Sequence, residues 1–139
     1  MNEVIVKDEI KLENLIYEVR GKQVMLDSDL ARLYGCANGT KSINLAVNRN
    51  SERFPDDFYF QINIVEYRNL KFQIETLNNS GNLRGQHLKY LPYVFTEQGV
   101  YMLSTVLKSK VASDTTIAIM DAFVLMRKYI SNDLVEQNM

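Results

Sequence analysis

Lys41, Asn44, Leu45, Asn48 and Glu52 recur at three- and four-residue spacing, with Arg49 at their edge. On a helix that spacing gathers them on one face. Asn44 and Asn48 can hydrogen-bond adenine edges or phosphates there, and Lys41 and Arg49 can meet phosphates or guanine. Leu45, stranded among polar groups, can touch a thymine methyl. The plainer reading is a solvated helix face with one exposed leucine. A second basic group lies downstream. Arg84, His87 and Lys89, with Asn78, Asn79 and Asn82, fall in a stretch read as a long loop over residues 75–86 and just beyond. Such a loop between strands can grip phosphates or a minor groove. The DNA-contact candidates are therefore Lys41, Asn44, Asn48 and Arg49 at the groove, with Arg53, Arg84 and Lys89 on phosphates.

Residues for catalysis are scarce. His87 is the one histidine and Cys36 the one cysteine. Sites needing two histidines are excluded, including the usual zinc hydrolase patterns. Cys36 follows a predicted helix and reads as a small half-buried filler. Gly81 and Gly85 are isolated, so no phosphate-cradling glycine loop is present. Asp56-Asp57 reads as a charged turn before a strand; a metal nuclease would need further acidic partners. The expectation is a non-catalytic chain with no metal and no cofactor.

Charge narrows the partner. The 139 residues carry 16 basic and 17 acidic groups, a net −1. That rules out a generally polybasic coat, but not a local basic face. Residues 31–54 hold Arg32, Lys41, Arg49 and Arg53 against Glu52 alone, and residues 63–95 hold Arg68, Lys71, Arg84 and Lys89 against Glu66 and Glu75. Both stretches are positive inside a neutral chain. A lone cysteine suits a reducing, cytoplasmic setting. No apolar run approaches the ~20 residues that span a membrane.

The elements that must position these residues follow from periodicity. Leu15 to Leu26 reads as a hairpin turning at Gly21-Lys22. Asp27 or Ser28 caps a helix over 28–34, which Gly35 ends. Ala31 and Gly35, four apart, suit a helix-turn-helix unit, in which the alanine admits a second helix closely. That helix runs from a Thr40 cap to about Glu52, packing Ile43, Ala46 and Val47 inward. The intervening turn is roughly two residues longer than the compact motif. Phe58–Ile62 reads as a strand. Asn63 caps a helix over 64–73. Tyr90–Phe95 reads as a strand that Pro92 puts at an edge or bulge. Thr96 caps a helix carrying Val100, Leu103 and Leu107. A last helix, about 111–131, is apolar on most sides and is expected to be central or to pair with a second copy.

Four ordered blocks then resemble a known family. Val24–Gly35, Asn48–Gln61, Tyr90–Ser104 and Ile117–Val124 are similar to the phage ORF-six N-terminal domain, within the KilA-N and BRO-N-like superfamily. The resemblance covers roughly residues 14–130. It implies a DNA-binding module of phages, prophages and large DNA viruses. Such modules are commonly joined to a separate C-terminal effector domain in antirepressor-like regulators. It also implies a divergent helix-turn-helix embedded among strands, which accommodates the long turn. The contact residues remain those read from the helix face and the loop.

The expected architecture is an α+β domain over 14–131. It comprises a β-hairpin, a helix-turn-helix-like pair, a small antiparallel sheet and a C-terminal two-helix hairpin. Residues 1–13 form an extension and 132–139 a tail. The expected partners are DNA and a second copy, held through Ile119, Phe123 and Met126 of the last helix. The alternative is a protein-interaction module that binds a repressor or other regulator through that apolar helix.

Overall fold

The structure, a computed structural model, describes residues 11–78, 90–107 and 110–138, with the side chains of 76–78, 110–111 and 130–138 left aside. Arg84, His87 and Lys89 lie outside the described residues. A 3₁₀ turn, Leu12–Leu15, leads into β1 (Tyr17–Val19) and β2 (Lys22–Leu26). Two helices follow, α1 (Asp27–Leu33) and α2 (Thr40–Arg49). A 3₁₀ turn at Ser51–Arg53 precedes β3 (Tyr59–Gln61) and α3 (Ile64–Asn78). Then come β4 (Tyr93–Thr96), α4 (Glu97–Leu107) and α5 (Lys110–Asn138). The four strands form an antiparallel sheet in the order β1-β2-β4-β3. The mixed α+β class expected from the sequence is the class observed.

Strand alternation builds three layers. Tyr17, Val19, Val24, Leu26, Phe60 and Val94 point to one face, where Ile62, Leu70 and Ile74 complete a core beneath α3. Met25 and Phe95, together with the half-buried Tyr59, point to the other. There they meet Leu30 and Ala31 of α1, Ile43 and Val47 of α2, Val100 and Leu103 of α4, and Ile119 and Phe123 of α5. The fully buried Leu, Ile, Val, Met and Phe side chains among them each contribute about 1.5–3 kcal/mol of transfer free energy.

Local chemistry sets the junctions. The hairpin turns at Arg20-Gly21, one residue earlier than expected, because Val19 pairs with Lys22. Both turn residues have positive φ, as a type I′ turn requires. Arg20 sits at φ 56°, and the contacts of its side chain offset that cost. Its Nε donates to Glu66 Oε2 at 2.7 Å, and its guanidinium lies 4.2 Å from the Phe60 ring centroid. Glu66 also closes a capping box at the start of α3. Its backbone N–H donates to Asn63 Oδ1 at 2.8 Å, and its Oε1 accepts from the Asn63 N–H at 2.9 Å. The expected Asn63 cap is therefore present. That helix runs on to Asn78, into the stretch expected to be loop from Glu75.

Gly35, at φ 68°, ends α1 in a left-handed conformation that a side chain would strain. The Gly35 N–H donates to the Arg32 carbonyl and the Cys36 N–H to the Ala31 carbonyl, closing the helix. Strand β4 is internal, which corrects the expected edge. Pro92 precedes the strand, so its missing N–H costs the ladder nothing, and its carbonyl accepts from the Ile62 N–H at 3.1 Å. Thr96 caps α4 as expected, its Oγ1 accepting from the Gly99 N–H at 3.3 Å. Gly99 itself packs directly on β3's lead-in. A Cβ there would lie 2.0 Å from the Phe58 carbonyl oxygen.

Helices α4 and α5 form the expected C-terminal helical hairpin, with Arg127 paired to Glu97. The expected pairing surface on α5 needs correction. Ile119 and Phe123 are 0% and 1% exposed within the single chain, and Met126 packs against the same cluster. The sheet and α4 cover this face, so it is not open to a second copy. The opposite face carries Ile117, Val124 and Tyr129 into solvent. The helix also continues to Asn138, beyond its expected end near residue 131.

Candidate nucleic-acid interface

Helix α2 is seated by its inner residues. Ile43 and Val47 are buried against α1 and the sheet, with Ala46 half-buried. Gly39, rather than Thr40, occupies the N-cap position, and the helix ends at Arg49 rather than Glu52. Tyr34, at the end of α1, locks the pair of helices to α5 through a buried hydroxyl contact with Thr116 Oγ1 at 2.5 Å.

The outer face keeps Lys41, Leu45, Asn48 and Arg49 exposed. Arg53 and Glu52 are exposed in the following turn. Lys41, Arg49 and Arg53 make no ion pair among the described residues. Five of the expected contact residues, these three with Asn48 and Asn44, thus fall on α2 or its exit. Four of the five are open to solvent.

Asn44 is the exception. The sequence puts it on the outer face, and the structure turns it half-inward. The Tyr59 hydroxyl donates to Asn44 Oδ1 at 2.7 Å, and Asn44 Nδ2 donates to Asp27 Oδ2 at 3.4 Å. Both ends of the amide are engaged within the fold. Asp27, expected as a helix cap, sits instead inside the first turn. It is 3% exposed and also accepts from the Tyr93 N–H at 3.3 Å. Burial raises the Asp27 carboxyl above the usual carboxylate range, against the opposing pull of these hydrogen bonds. Asp29 is raised by burial as well, opposed by its ion pair with Arg32 at 2.7 Å. Asp27 therefore stands behind the basic outer helix, joined to it through Asn44.

Sequence patterning did not reveal the flank beside α2. Tyr59 stacks on Tyr93 with ring centroids 4.8 Å apart and planes 9° from parallel. Burial, then the neighbouring Tyr93 and Asp27, pushes the Tyr59 phenol well above its ordinary value, so it stays a hydrogen-bond donor. A groove of about 400 Å³ runs alongside, lined among others by Asn48, Ser51, Tyr59, Gln61 and Tyr93. Its walls offer aromatic faces and two amides. The one signal was the alternation of Tyr59 and Gln61 around the inward Phe60.

Among the described residues, no three His, Cys, Asp or Glu side chains stand close enough to hold a metal ion. Asp56 and Asp57 are exposed, and the Asp57 carbonyl accepts from Thr96 Oγ1 at 3.0 Å. Cys36 is half-buried, and burial raises its thiol. No described helix is long and apolar enough to cross a membrane.

No curated protein and no solved structure matches the chain. The profile of the ORF6N domain matches residues 14–106, from the 3₁₀ turn before the hairpin through α4. The fourth block expected from the resemblance, Ile117–Val124, lies beyond that match. With two thirds of its length covered, including the sheet and the α1–α2 pair, the chain belongs to the ORF6N domain family.

Proposed function

We propose that this domain is a non-catalytic DNA-binding module of a phage-type regulator, acting in the cytoplasm without a cofactor. Helix α2 meets the DNA through Lys41, Asn48 and Arg49. Arg53 holds phosphate at the helix exit, and Arg84 and Lys89 extend the grip from outside the described residues. The observation that carries this reading is the set of unpaired cations on the outer face of α2 and at its exit. Lys41, Arg49 and Arg53 are all exposed and free of acidic partners among the described residues. Leu45, 44% exposed amid them, suits a thymine methyl.

Asn48 and the groove beside it add a means of reading bases. Side-chain amides pair well with adenine edges, and aromatic faces suit bases or sugars. Phosphate contacts supply affinity and make it steeply salt-dependent. The near-neutral total charge then fits a binder of modest strength whose positive charge is confined to one side. A role through protein contacts at Ile119 and Phe123 is less well supported, because both side chains are internal. The test is DNA binding measured across salt concentrations for the wild type and for Lys41→Ala/Arg49→Ala.

A further inference from the structure

Helix α5 has two faces of opposite character. Thr116, Ile119 and Phe123 point into the core. On the far side Ile117, Asp121, Val124 and Lys128 fall in one narrow stripe, by the 100° turn per residue of a helix. All four are exposed, Ile117 at 62% and Val124 at 38%. Scattered apolar side chains on a surface are ordinary. Here two lie on the same stripe, interleaved with one acid and one base. Asp121 and Lys128 make no ion pair among the described residues, whereas nearby Arg127 is held by Glu97. They stand seven residues apart, about 10 Å along the axis, so they do not reach each other.

We propose that a second copy of this chain covers the stripe, with the two α5 helices antiparallel. A two-fold axis beside Val124 sets Asp121 opposite Lys128 of the partner subunit, and repeats that pair on the other side. Val124 meets its own counterpart at the crossing, and Ile117 lies about 10 Å along the axis from it. The charge order selects this orientation. A parallel pair in register would set Asp121 on Asp121 and Lys128 on Lys128, and like charges facing each other oppose association. Self-complementarity of this kind is what an isologous interface requires.

The surroundings favour the same arrangement. The helix is 29 residues long, about 43 Å at 1.5 Å per residue, while α4 beside it has 11 residues. Met120, one residue before Asp121, lines an apolar cleft of about 550 Å³ with Phe58, Met102 and Tyr101, the last 61% exposed. The pairing does not depend on DNA, and it would place two α2 helices in one particle.

Charge reversal tests this directly by sedimentation. The wild type is expected to associate at micromolar to high-micromolar concentration. Asp121→Lys and Lys128→Asp alone each weaken self-association on the order of tenfold, since two attractive pairs become repulsive. An equimolar mixture of the two variants recovers association as a heterodimer, because every facing pair is again opposite in sign. Both substitutions are on an exposed face, and circular dichroism verifies that the fold is retained. A monomeric wild type, single variants that associate like the wild type, or a mixture no stronger than its components would each overturn the proposal.

Discussion

The Tyr59 hydroxyl donates to Asn44 Oδ1 at 2.7 Å, across the junction of β3 and α2. This bond fixes the rotation of α2 and removes Asn44 from its outer face. Asn44 and Asn48, one helical turn apart, thereby have different work. The first holds the helix to the sheet and to Asp27, and the second stays open beside the groove.

Tyr59→Phe is expected to destabilise the domain by about 1 kcal/mol, the net worth of one hydrogen bond. Asn44→Ala costs more, about 1–3 kcal/mol, because it leaves buried partners unmet. Chemical denaturation measures both. DNA affinity at a temperature where the variants remain folded should be nearly unchanged. A stable Asn44→Ala protein with lost DNA binding would reassign Asn44 as a contact residue.

Gly99→Ala is expected to be among the most damaging single substitutions. The added Cβ would meet the Phe58 carbonyl oxygen at 2.0 Å, so β3's lead-in or α4 must shift. Overpacking of this kind costs about 1–3 kcal/mol, and more where backbone must move. The shift would also disturb the bond from Thr96 N–H to the Phe58 carbonyl, 3.0 Å long. Thermal unfolding provides the measure, and a variant with native stability would show that this contact gives way easily.

Much of this was legible in the sequence, and the parts that were not share a cause. The hairpin, the Asn63 and Thr96 caps, and the inner face of α2 depend on neighbours within a few residues. The rotation of α2 depends on Tyr59, fifteen positions from Asn44. Two asparagines look alike until the sheet arrives. Pro92 suggested an edge strand, yet it ends just short of β4, so the strand is internal. The last helix is apolar on most sides, so periodicity could not say which side faces inward. Only the packing of α5 on α4 and the sheet puts Ile119 and Phe123 in the core.

The pH dependence carries two opposing signs. Burial raises the Asp27 and Asp29 carboxyls in the folded state. Their contribution is fully present below the unfolded value and is lost as pH rises through the folded one. Glu66 behaves oppositely. Its hydrogen bond from Arg20 lowers it, so its contribution is present at neutral pH and is lost as pH falls through the lowered value. Asp27→Asn removes one of the first pair. Its stability relative to wild type should therefore rise between mildly acidic and neutral pH. Urea denaturation over that range reads the difference, and a constant offset at every pH would contradict this sign.

The central claim is that α2 presents its cations to DNA, and salt dependence tests it most directly. Affinity for duplex DNA, followed by fluorescence anisotropy over a salt series, gives a slope that counts neutralised phosphates. Lys41→Ala/Arg49→Ala should bind more weakly, with the slope reduced by roughly 1–2 units and the fold unchanged. A double variant with the wild-type slope, or a wild type that binds no DNA at low salt, would contradict the account.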